Sequence, residues 1–190
     1  MPQIVTNDLK PGMKVEAEGH PYTIVTNTFT KPGKGQPFNR VKLKNLLTGR
    51  VIERTYKSGD KLDIADVQET QMRLLYKEQD QAFFMDEASY EQIAISLENI
   101  GETVQWLLDD QLYSIVFYKG NPINVEPPTF VDLKIVETAP GVRGDTASGR
   151  VMKTAITQTG NKVQVPIFIE QDEIVRFDTR TGDYVSRVSK

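Results

Sequence analysis

The chain has 190 residues, no cysteine and a net charge of −3, enough length to bury one sizeable core or several small ones. Without cysteine there is neither a disulfide framework nor a thiolate metal site. No run is long enough to cross a bilayer and no basic-then-apolar signal opens the chain, so a soluble cytoplasmic protein is expected. The charge is uneven: residues 1–65 carry 11 Lys and Arg against 6 Asp and Glu (+5), residues 66–128 carry 3 against 12 (−9), and residues 129–190 carry 9 against 8 (+1). Three modules with separate surfaces are implied, of which the first suits a polyanion.

In the first module Met13–Ala17 reads as a short strand and Glu18-Gly19-His20-Pro21 as a turn. Tyr22–Phe29 and Asn39–Leu47 are alternating runs of the kind that form half-buried strands. Between them lies Thr30-Lys31-Pro32-Gly33-Lys34-Gly35-Gln36-Pro37-Phe38, which therefore caps a hairpin with Lys34 at its tip. Its prolines restrict the base and its glycines free the centre, a composition that projects rather than joins a sheet. Lys31, Lys34, Arg40, Lys42 and Lys44 crowd this hairpin, and no acidic residue occurs from Tyr22 to Arg50. Such a single-sign field suits nucleic-acid phosphate. Phe29 and Phe38 flank the loop symmetrically and are expected to brace its neck as a cross-strand pair. After the turn at Thr48-Gly49, Val51–Lys57 is a further strand; four or five short strands without a helix indicate a small β-barrel.

In the acidic module Val67–Tyr76 and Ala82–Asp86 read as strands, and Ser89–Leu108 as helical content, with Tyr90, Ile93, Leu97 and Ile100 at helical spacing and Gly101 ending it. Glu87, Glu91, Glu98 and Glu102 then form a solvated helix face. Leu112–Tyr118 and Pro122–Val125 flank the compact turn Lys119-Gly120-Asn121. The last module offers strands at Phe130–Thr138, Lys162–Ile169, Glu173–Asp178 and Tyr184–Val188, with a glycine-rich excursion over 139–150 and a polar turn over 179–183.

Catalytic chemistry finds little support. His20 is the only histidine and sits in a turn without a neighbouring nucleophile; Asp109-Asp110 stand alone and no calcium-loop pattern occurs. A Schiff-base lysine needs burial or a cation beside it in a pocket, and a glycine-flanked loop tip offers no burial. Stacking of single-stranded nucleic acid on Phe29, Phe38 and Tyr56 is a rival reading.

Several stretches taken together resemble bacterial elongation factor P. They are Phe29–Gln36 followed by Arg40–Gly49, then Gly141–Ala147, Lys162–Pro166 and Asp178–Arg187. The resemblance implies an all-β protein of three small barrels, an SH3-like KOW domain (1–65) and two OB-folds (66–128 and 129–190), in an L shape like tRNA. It further implies binding to the 70S ribosome beside the P-site peptidyl-tRNA and relief of stalling at consecutive prolines, without catalytic residue, metal, cofactor or membrane. Lys34 is by this resemblance the position of a β-lysyl modification, added by a lysyl-tRNA-synthetase-like enzyme. Gly144, Asp145 and Thr146 resemble the loop facing the E-site codon of the mRNA, and Tyr184 with Arg187 the tRNA-facing pair. Lys31, Arg40 and Lys42 are assigned to phosphate contacts from their charge. Pro37, Thr154 and Asp172 depart from the family pattern, which has alanine, proline and glycine there. The alternatives are the elongation factor P-like paralogue, from which Pro32-Gly33-Lys34-Gly35 differs at the tip, and a free-standing OB-fold binder of single-stranded nucleic acid.

Overall fold

The structure is a computed structural model that describes residues 2–140 and 151–188. It is built of three antiparallel sheets. The first contains β1 (Gln3–Val5), β2 (Lys14–Ala17), β3 (His20–Thr30), β4 (Phe38–Asn45), β5 (Val51–Lys57) and β6 (Lys61–Ile64), in the spatial order β1-β6-β2-β3-β4-β5. Alternation decides which face is buried. Asn39, Val41, Leu43 and Asn45 of β4 point inward while Arg40, Lys42 and Lys44 point to solvent. Of the inward side chains, Val41 and Leu43 join Leu9, Val15, Tyr22, Ile24 and Leu62 in one core. β1 and β6 are too short for periodicity to reveal; each gains its place by pairing with the other, Ile4 opposite Leu62.

The second sheet comprises β7 (Val67–Glu78), β8 (Gln81–Met85), β9 (Gln92–Ser96), β10 (Leu112–Tyr118) and β11 (Asn121–Glu126), in the order β11-β10-β7-β8-β9. Here the helix expected over Ser89–Leu108 is corrected. Residues 92–96 form a strand, with Ile93 opposite Phe84 and Ile95 opposite Ala82, so the isoleucines obey a period of two. Two β-branched residues beside a sheet edge outweigh an incidental helical spacing. What remains helical is one turn, α1 (Leu97–Ile100), capped by Ser96 Oγ accepting from Glu98 N at 3.2 Å and closed at Gly101, followed by a 3₁₀ segment over Gly101–Trp106. The acidic helix face is corrected with it: Glu87 accepts from Arg73 Nε at 2.8 Å.

The third sheet runs β14-β13-β12-β15-β16, from β12 (Phe130–Thr138), β13 (Met152–Thr157), β14 (Lys162–Pro166), β15 (Ile174–Asp178) and β16 (Tyr184–Arg187). β13 leaves little trace in the sequence because its inward residues, Ala155 and Thr157, carry little hydrophobic signal. Asp172, the departure from glycine, has φ +69, the conformation a glycine would adopt without cost. Its carboxylate partly offsets this by pairing with Lys134 at 2.7 Å. By backbone proximity the chain divides into two compact units, residues 1–70 with 115–124 and residues 71–114 with 125–190.

Candidate functional site

β3 and β4 pair from Tyr22 opposite Asn45 to Thr30 opposite Phe38, leaving Lys31–Pro37 as the loop. Pro32 and Pro37 are half-buried at its base, and Lys31, Gly33, Lys34, Gly35 and Gln36 are exposed. Gly35 has φ +120, a conformation that L side chains rarely adopt. Among the described residues neither Lys31 nor Lys34 has an ion-pair partner. The Lys34 ammonium is thus held away from the core and free to meet an external anion or acceptor.

Below the tip, Arg40, Lys42 and Lys44 share the outer face of β4. The field is less uniform than the window from Tyr22 to Arg50 implies. β5 sets Glu53 opposite Lys42, and its carboxylate lies 3.4 Å from Arg40 Nε. Arg40 is therefore partly neutralised, while Lys42 and Lys44 remain exposed.

The expected Phe29–Phe38 brace is corrected by the register. Phe29 lies opposite Asn39, and Phe38 opposite Thr30, so the two rings project from opposite faces of the hairpin. Phe29 is 53% exposed. Tyr56, across β4 from Asn39, packs against the first core instead, and burial holds its phenol above the usual range. The three aromatics make no common stacking platform.

Gly144, Asp145 and Thr146 lie outside the described residues. Tyr184 and Arg187 are brought together by an irregularity that spacing alone does not show. Residues three apart on a regular strand face opposite ways. Here the register shifts between Arg176 and Phe177, skipping Val185, so that Tyr184 faces Phe177 and Arg187 faces Val175 on one side of the sheet. Tyr184 packs on the third core; the Arg187 guanidinium lies 5.1 Å from the Phe168 ring centre and donates to Glu173 at 3.3 Å. With Val151, Pro166, Ile167, Val185 and Ser186, Phe168 and Tyr184 line a cavity of about 430 Å³.

The turn that delivers Tyr184 is held by Asp178. Its carboxylate accepts from Arg180 N at 2.9 Å, Nε at 3.0 Å and Nη2 at 2.7 Å, and its amide donates to Asp183 O at 2.9 Å. The Arg180 side chain first, then the backbone amides, lower its pKa to about 2. The ionised form is the one the fold favours, so its contribution is complete above the ordinary value of 3.8 and is lost as pH falls through about 2. In a carboxyl-carbon NMR titration Asp178 should have its midpoint near 2, and Arg180→Ala should move it back toward 3.8.

Among the described residues no group of three or more His, Asp or Glu side chains is placed to hold a metal ion, and no helix is long and apolar enough to cross a membrane.

Three family models match in chain order: the elongation factor P KOW-like domain over residues 5–62, its OB domain over 67–125 and the elongation factor P C-terminal domain over 131–187. The chain belongs to the elongation factor P family. It is similar at 66% identity, over the whole of both chains, to elongation factor P 2 of Protochlamydia amoebophila, and at 58% and 57%, again over both whole chains, to elongation factor P 2 of Chlamydia caviae and Chlamydia trachomatis. As a member of this family it is a translation factor rather than an enzyme. Its fold is shared with translation initiation factor 5A of Methanococcus jannaschii, at 23% identity and a TM-score of 0.54 over 64% of this chain and 90% of that one. The fold is shared too with a translation initiation factor eif-5a family protein of Naegleria fowleri, at 16% identity and a TM-score of 0.52, over 66% of this chain and 95% of that one.

Proposed function

We propose that this elongation factor P family member works in the cytoplasm on the 70S ribosome, beside the P-site peptidyl-tRNA, and promotes peptide-bond formation at consecutive prolines through Lys34. The observation that carries the reading is the exposed, unpaired Lys34 at the end of a long hairpin whose outer face bears Lys42 and Lys44. Proline reacts poorly because its ring fixes φ and its nitrogen is secondary. An arm that orders the peptidyl-tRNA recovers rate by positioning, which asks for no acid, base or metal on the protein. Phosphate contacts fall to Lys31, Arg40 and Lys42, with Arg40 weakened by Glu53. Tyr184 and Arg187 face the tRNA, and residues 144–146 the E-site codon of the mRNA. A β-lysyl group added to Lys34 by a lysyl-tRNA-synthetase-like enzyme lengthens the arm and adds donors. The domains run over 1–65, 66–128 and 129–190.

Adding the purified protein to a reconstituted translation system should raise full-length yield from a Pro-Pro-Pro reporter and leave a proline-free control unchanged. Equal yields with and without it would overturn the reading. Salt-dependent binding to bare oligonucleotides without a ribosome effect would support the free-standing OB-fold binder instead.

A further inference from the structure

We infer that Asn27 and Asn39 form a buried amide clasp that fixes the direction of the Lys34 arm, making them positioning residues for the activity proposed above. The inference rests on that reading for its function and on the neck of the hairpin for its geometry. Asn27 Nδ2 donates to two backbone carbonyls, Thr6 O at 2.9 Å and Leu9 O at 3.0 Å. A carbonyl can only accept, so both amide protons of Asn27 are committed and its Oδ1 must face the other way. There it accepts from Asn39 Nδ2 at 3.0 Å. The orientation of Asn39 follows in turn, with its NH2 toward Asn27 and its Oδ1 left without a partner in a side chain only 1% exposed.

Each link ties a different piece of chain. Asn27 and Asn39 sit on β3 and β4, three pairs or fewer from the loop, since Thr30 opposite Phe38 is the last pair. Thr6 and Leu9 belong to the segment around the 3₁₀ turn Thr6–Asp8. That segment is anchored in turn to the far end of β5: Thr6 N donates to Asp60 O at 2.8 Å, and Thr6 Oγ1 to Lys57 O at 3.1 Å. Ser58 N then reaches the loop base at Pro37 O, at 3.0 Å. The belt runs from the inner face of the hairpin, through the 3₁₀ turn, back to the base of the arm.

A hydrophobic pair at the same place would hold the strands together without setting their angle, because apolar contact is non-directional. An amide clasp sets it, and burial makes any other arrangement costly. The orphaned Asn39 Oδ1 is accepted as the cost of that direction. Phe29 and Phe38, on opposite faces, cannot supply the restraint.

The test compares wild type with Asn39→Ala and Asn39→Asp. The second keeps shape but places two acceptors against each other. With amide 15N relaxation on the full chain, both should loosen residues 31–36 while the rest of the first sheet keeps its order. In the Pro-Pro-Pro assay both should lose between about tenfold and 10²-fold in rate, and Asn39→Ala, which changes no charge, should keep ribosome affinity within about threefold of wild type. Asn39→Ser, which retains a shorter donor, should fall between wild type and Asn39→Ala in order and rate, and if Asn39→Ala does not fold it should still loosen residues 31–36 relative to wild type. Unchanged relaxation of residues 31–36 would overturn the clasp. If the wild type itself gives no relief, the functional reading falls, while the relaxation data still decide the clasp.

Discussion

A Lys34→Ala variant should fold as the wild type does, bind the ribosome within about fivefold of it, and lose the relief of proline stalling by about 10²-fold. The stability expectation follows from exposure: Lys34 buries nothing and has no ion-pair partner among the described residues, and such surface changes stay within about 0.5 kcal/mol. The affinity expectation follows from magnitude, because one exposed charge contributes at most about 1 kcal/mol while Lys42, Lys44 and Lys31 remain. The rate expectation follows from position, since a misplaced or missing positioning group can cost about 10²-fold. Lys34→Arg separates charge from chemistry, since it keeps the cation but removes the primary amine that an acyl group needs. Lys42→Ala should do the opposite of Lys34→Ala, lowering affinity and the steepness of its salt dependence while sparing relief per bound ribosome. The measurements are urea melting, ribosome co-sedimentation across salt, and reporter yield. Relief by Lys34→Ala equal to wild type would remove Lys34 from the site.

What the sequence displays clearly is whatever rests on local pattern. The alternation of Asn39 to Asn45 shows both the strand and its charged face, and the glycines and prolines of residues 32–37 show the loop. The turn at Lys119-Gly120-Asn121 is legible too, although the structure gives Asn121 to the following strand and leaves Lys119 and Gly120 as the two turn residues, with φ +50 and +80 as a type I′ turn requires. What it hides is set by partners distant along the chain. Glu53 tempers Arg40 only because β5 folds back on β4, and the Phe29–Phe38 symmetry dissolves because register is a property of two strands, not one. Residues 92–96 read as helix until Phe84 and Ala82 are placed opposite their isoleucines. The Val185 bulge is likewise invisible to spacing, yet it alone makes a pair of Tyr184 and Arg187. The buried asparagines carried one legible signal, since the β4 alternation assigns position 39 to the inner face, where a polar side chain needs a partner.

The largest expected effect on stability lies away from the arm, at Trp106. This is the single tryptophan, and it follows the acidic module's α1 turn in sequence. Its side chain is nevertheless 3% exposed within the core of the third sheet, among Leu133, Val165, Val175 and Phe177, with 6.1 Å between its ring and that of Phe177. Its carbonyl accepts from the buried Tyr113 hydroxyl at 3.1 Å, which itself accepts from Leu108 N at 2.7 Å. An indole buries about 150–250 Å², which at about 25 cal/mol per Å² gives roughly 4–6 kcal/mol. Mutational experience for aromatic-to-alanine changes is about 3–5 kcal/mol. Trp106→Ala should therefore cost about 3–5 kcal/mol in urea unfolding followed by circular dichroism. Trp106→Phe should cost clearly less, because a ring still fills part of the space. In the wild type, unfolding followed by indole fluorescence should coincide with the loss of the native amide NMR signals of the third sheet, since Trp106 shares that sheet's core. A fluorescence midpoint well below that of those signals, or a cost under about 1 kcal/mol for Trp106→Ala, would mean that the 3₁₀ segment is docked rather than built in.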